Sequence, residues 1–172
     1  MIAVFIDGAN LYATCRALNI EIDYKLLKNN WNKARLYYYT AILPDRQHST
    51  IQPLLDWMDY NGITVVTKLA KEWTDPLTGR KKVKGNMDIE MAVDAIGAAA
   101  FAEEVWLFTG DGDFTYLVNK LKSLGTRVVV VSTIQTQPVM IADELRRSAD
   151  EFIELKDLND RLNDPKEKSK WA

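Results

Sequence analysis

A chain of 172 residues with 47% hydrophobic and 27% charged side chains has the balance of one globular domain, not of a disordered or fibrous chain. Its net charge of −2 lacks the basic excess that usually marks a nucleic-acid binder, although carboxylate sites that take up cations regain attraction for phosphate. One cysteine, Cys15, excludes an internal disulfide and a cysteine-rich zinc site.

The chain opens on a strand-like apolar run at 2–6, closed by Asp7-Gly8. No basic leader precedes it, and no apolar stretch reaches the ~20 residues that span a bilayer. A cytoplasmic protein without membrane contact is therefore expected. Helices are predicted at 9–18 and 23–30, a strand at 34–42, a helix at 47–61 ended by Asn61-Gly62, and a strand at 63–69. The segment 71–84, KEWTDPLTGRKKVK, carries turn signals at Asp75-Pro76 and Gly79 and reads as a protruding loop or hairpin. The basic set Lys68, Lys71, Arg80, Lys81, Lys82 and Lys84 either follows a phosphate backbone or forms a solvated face. Trp73 either stacks on a base or folds back onto the core.

A helix is predicted at 87–101 and a strand at 104–109. The next helix, 113–124, has apolar residues at Phe114, Leu117, Val118, Leu121 and Leu124, and stops at Gly125. Four consecutive valines at 128–131 mark a strand at 127–132 that is covered on both sides. A helix at 138–147 and a short strand at 151–155 complete the pattern. The domain is expected to span 1–160, with a polar, flexible tail at 161–172.

Strands alternating with helices predict an α/β fold: a three-layer α/β/α sandwich with a mainly parallel, Rossmann-like sheet. Ligands bind such sheets outside the carboxyl ends of the strands, where strand order reverses. Three separate places deliver acids there: Asp7 after the first strand, Asp111 and Asp113 in TGDGDF after the fourth, and Asp88 at the start of the 87–101 helix. Taken singly, each has a structural explanation, as a turn residue, an N-cap or a partner of a helix dipole. Jointly they would repel by about 4 kcal/mol per pair at ~4 Å near a protein surface. A hard divalent cation with oxygen ligands, Mg²⁺ or Mn²⁺, is the natural neutraliser. Asp94 lies six residues after Asp88, about 120° around the helix, and shares a face with Glu90; it is at most an outer-shell residue. Asn10, in the first turn of a helix, either orients water or phosphate or is a polar helix start.

Other chemistries lack their residues. The one histidine, His48, leaves no histidine pair for metal-free RNA cleavage. There is no P-loop, dinucleotide fingerprint or nucleophile elbow. A haloacid-dehalogenase-like phosphatase needs a second aspartate two residues after its nucleophile, and that position is Ala9.

The segments FIDGANLY at 5–12, KGNMDIEMAVDA at 84–95 and FTGDGDFTYLVNKLKSLG at 108–125 resemble the NYN domain, a branch of the PIN-like nucleases, and in particular its LabA-like group. A weaker likeness continues at 128–132 and 144–155. The resemblance implies a PIN-like sandwich with sheet order 3-2-1-4-5 and metal-dependent hydrolysis of RNA. It places catalytic and metal-binding roles on Asp7, Asp88, Asp111 and Asp113. Asn10 matches the polar partner of the first aspartate, and Thr109 keeps the hydroxyl of the family's serine; with Lys84 they are expected on the substrate side. RNA is the expected partner. Besides RNA, the partner classes are a second copy of the chain or another protein. The competing reading is a non-catalytic RNA- or protein-binding regulator on the same fold.

Overall fold

The computed structural model describes residues 1–42 and 51–164, with the backbone alone for 82–84. His48, the start of the predicted 47–61 helix and the tail beyond 164 lie outside the described residues.

Six strands form one sheet: β1 (Ile2–Asp7), β2 (Arg35–Ile42), β3 (Ile63–Leu69), β6 (Glu104–Phe108), β7 (Arg127–Ser132) and β8 (Glu151–Glu154). Their order is β3-β2-β1-β6-β7-β8, and every adjacent pair is parallel. The expected five-strand order is present, and β8 extends it by one. A separate antiparallel hairpin, β4 (Lys71–Thr74) and β5 (Lys81–Lys84), fills the segment with the Asp-Pro turn signal.

Alternation along β1 shows why the sheet is buried on both sides. Ala3 and Phe5 face a core built with α4 (Asp88–Ala98), α5 (Thr115–Ser123) and α6 (Asp143–Ser148). Val4 and Ile6 face a second core built with α1 (Gly8–Leu18), α2 (Tyr24–Asn30), α3 (Gln52–Tyr60) and α7 (Leu155–Asn163). In β7, Val128 and Val130 join the first core, and Val129 and Val131 the second. Burying each such side chain contributes about 1.5–3 kcal/mol. Trp31 and Trp106 meet edge to face with centroids 5.0 Å apart, anchoring the second core.

Three elements differ from expectation. The 138–147 helix is really α6, six residues long. Upstream, the Met140 N–H donates to the Thr133 carbonyl and the Ala142 N–H to that of Gly110, so tertiary bonds replace helical ones. The 113–124 helix starts as a 3₁₀ turn, Gly112–Phe114, capped by the Asp111 carboxylate rather than by Asp113. It ends where expected, with Gly125 at φ 87°. Helix α7 has no counterpart in the sequence reading. It places Leu155, Leu158 and Leu162 in the second core, so the boundary drawn at 160 falls inside it. Among the described residues, no helix is long and apolar enough to cross a membrane.

Candidate active site

Chain direction sets the site. From β1 the chain builds outward through β2 and β3, then α4 carries it back across to β6 on the other side of β1. The switch point therefore lies between β1 and β6, where Ile6 pairs with Phe108. The residues that follow are Asp7 and the 109–113 loop. A crevice outside those carboxyl ends is lined by Asp7, Asn10, Tyr39, Asn86, Asp88 and Asp111, among others.

Three of the predicted acids converge. Asp88, Asp111 and Asp113 each bring a carboxylate oxygen within 4.8 Å of the others. They come from the first residue of α4, the residue capping the 3₁₀ turn, and the turn itself. Asp7 stands beside this trio and lines the same crevice as Asp88 and Asp111. Its oxygens are already engaged: Oδ1 accepts from the Asn10 N–H at 3.1 Å, capping α1, and Oδ2 accepts from the Thr109 hydroxyl at 3.4 Å.

Two of the other predicted residues, Asn10 and Thr109, form a brace around the acids. Thr109 is buried, and besides donating to Asp7 its hydroxyl accepts from the Asp111 N–H at 3.2 Å. The Asn10 side-chain oxygen accepts from the Gly110 N–H at 2.9 Å. The Asp111 carboxylate accepts from the Asp113 N–H at 2.9 Å. Asn10 and Thr109 thus tie β1 to the 109–113 loop. Lys84 ends β5 opposite Lys71, and its side chain lies outside the described residues, as does that of Lys82. Lys68 pairs with Glu90 at 2.9 Å, while Lys71, Arg80 and Lys81 are exposed. Trp73 is 46% exposed rather than folded back onto the core.

Sequence reasoning missed Tyr39 and Asn86. Tyr39 is buried, lines the crevice, and donates its hydroxyl to Asp94 at 2.8 Å. This gives Asp94 an indirect link to the site. Its signal was weak, because Tyr37, Tyr38 and Tyr39 stand together and only the strand's alternation separates their faces. The Asn86 amide donates to the Asp88 carboxylate through a short contact.

Two of the acids, Asp88 and Asp7, resist ionisation. Burial raises Asp88 to about 6 from an ordinary 3.8, with the charges of Asp111, Asp7 and Asp113 adding to it and Lys68 opposing. Burial also raises Asp7, against the Asn10 and Thr109 hydrogen bonds. Among the described residues none of the four forms an ion pair with lysine or arginine. An all-oxygen donor set short of countercharge fits a hard divalent cation.

A pH dependence follows. Between about 3.8 and 6 the folded state keeps an Asp88 proton that the unfolded chain has lost. Cation-free stability therefore falls as pH rises through that window and levels above it. A cation prefers the ionised site, so its effect runs the other way. Mn²⁺ is expected to raise Tm little near about pH 5 and by several degrees above about pH 7. Thermal melts across pH, with and without Mn²⁺, check this; an equal shift at both ends would contradict it.

Comparison with known proteins agrees with this geometry. The family model for the NYN domain matches residues 1–156. Low amplitude and bright protein LabA of Synechococcus elongatus is 31% identical over 164 residues, covering 91% of this chain and 84% of its own. The crystal structure of a Vibrio parahaemolyticus protein of unknown function superposes with a TM-score of 0.71 at 25% identity, covering 90% of this chain and 91% of that one.

Proposed function

We propose that this chain, which belongs to the NYN domain family of PIN-like nucleases, is a ribonuclease that hydrolyses RNA phosphodiester bonds with the help of a divalent cation. The observation that carries the reading is the meeting of Asp88, Asp111 and Asp113 within 4.8 Å at the sheet's switch point. Those three would hold Mg²⁺ or Mn²⁺, with Asp7 adding charge from beside them. A cation bound there offsets charge on the phosphate oxygens and acidifies the attacking water.

The chain's own residues prepare the site. The Asn10–Gly110 and Thr109–Asp111 bonds hold the loop, so that Asp111 and Asp113 need not reorganise when substrate arrives. The Asp7 carboxylate is oriented by two donors. The exposed cations of the hairpin, Lys71, Arg80 and Lys81, belong to the segment that leads into the crevice-lining Gly85 and Asn86 and would follow the RNA backbone.

The test is turnover of a generic RNA by the purified protein with Mn²⁺ and with excess EDTA. Cleavage in the first and none in the second is expected. Full activity in EDTA would defeat the mechanism, and binding without turnover would favour a regulatory RNA-binding domain instead.

A further inference from the structure

Two exposed tyrosines stand one turn from the acidic crevice, on helices that cover opposite faces of the sheet. We infer that they stack on unpaired bases on either side of the scissile phosphate and so hold the RNA strand across the acids. This rests on the nuclease reading and adds to it the side chains that grip the flanking bases.

Tyr12 on α1 is 64% exposed and Tyr116 on α5 is 82% exposed. An isolated aromatic on a helix surface is ordinary; the placement of these two is not. Ala9 lines the crevice. Tyr12 follows three residues later on the same outward stripe of α1, and Arg16 four residues after that, with its guanidinium carbon 5.8 Å from the Tyr12 ring centroid. Across the sheet, Asp113 belongs to the carboxylate trio. Tyr116 follows three residues later and Lys120 four beyond it, all three exposed.

Residues three and four apart share a helix face. Both stripes therefore run from the acidic mouth to an aromatic ring and then to a cation. Helix α1 packs on one face of the sheet and α5 on the other. A strand laid across the edge with its phosphate at the acids meets one ring on each side. Rings accept any base by its π-face, while Arg16 and Lys120 match the backbone charge. A duplex keeps its bases paired and stacked internally and offers no such faces.

Tyr60 supplies the control. It is 91% exposed but ends α3, which leads into the start of β3 and so lies at the opposite edge of the sheet.

The experiment measures binding of a labelled single-stranded oligoribonucleotide to the full chain by fluorescence anisotropy, with Ca²⁺ in place of Mn²⁺. Tyr12→Ala and Tyr116→Ala are each expected to weaken binding roughly five-fold or more. Tyr12→Phe and Tyr116→Phe should restore it, Tyr60→Ala should change nothing, and the matching duplex should bind more weakly than the single strand. Cleavage of the same oligonucleotide by the wild type with Mn²⁺ is scored separately. Tyrosine-dependent binding without cleavage would support the stacking while removing the nuclease reading. Alanine variants that bind like Tyr60→Ala, or a duplex bound as tightly as the single strand, would overturn the inference whether or not the wild type cuts.

Discussion

Asp111→Asn is expected to lower the rate of RNA cleavage on the order of 100-fold or more, at or beyond the roughly 10–100-fold cost of losing an outer-shell partner. Asp111 is one of the three carboxylates within 4.8 Å, it lines the crevice, and its charge is the second largest contribution to the raised pKa of Asp88. Its structural duty is separable. Oδ1 caps the 3₁₀ turn by accepting from the Asp113 N–H, and an asparagine oxygen caps about as well. The variant should therefore fold with a Tm equal to the wild type or slightly higher, since one of several like charges is gone. It should also respond less to added Mn²⁺. A cleavage assay with a parallel melt separates the two effects; undiminished activity in a folded Asp111→Asn protein would remove the mechanism.

Gly110→Ala carries the largest expected cost in stability. A Cβ at this position would sit 2.0 Å from the Met140 carbonyl oxygen and 2.8 Å from the Ser132 hydroxyl. Backbone atoms cannot turn aside as a side chain can. Relief would need the 138–142 segment to move, breaking the Ala142 N–H bond to the Gly110 carbonyl. It would also strain the Gly110 N–H bond to Asn10 at 2.9 Å. Overpacking a tight site costs about 1–3 kcal/mol and sometimes more, and the added hydrogen-bond losses place this variant at the upper end. At roughly 2–4 °C per kcal/mol for a domain of this size, Tm should fall by about 10 °C. Cleavage should fall with it, because the loop that bears Asp111 and Asp113 is the one displaced. A calorimetric scan showing no shift would mean that this loop packs less tightly than described.

The strands were legible because their signal is local. A run such as the valines at 128–131 has few alternatives to a strand covered on both faces. The convergence of the acids was legible from topology: parallel strands put Asp7 and the 109–113 loop at the same edge whatever lies between them. The hydrogen bonds that orient those acids were not, because the Asn10–Gly110 link joins positions 100 residues apart. Nor did spacing show that Asp7 would be engaged by two donors while Asp88, Asp111 and Asp113 form the tight group. Helix α7 was obscured by composition. Its apolar positions are Leu155, Leu158 and Leu162 alone, in a segment otherwise charged or polar, although their i, i+3, i+7 spacing was a usable sign. The 138–147 prediction failed for the opposite reason. Ile141 and Leu145 have helical spacing and both are buried, but tertiary acceptors at Thr133 and Gly110 claim the N–H groups of Met140 and Ala142.

A crystal of the protein soaked in Mn²⁺ near neutral pH and measured at the manganese absorption edge addresses the carboxylate trio directly. An anomalous peak bounded by oxygens of Asp88, Asp111 and Asp113 is the predicted result. A featureless crevice, or those side chains turned apart onto lysines and arginines, would contradict it.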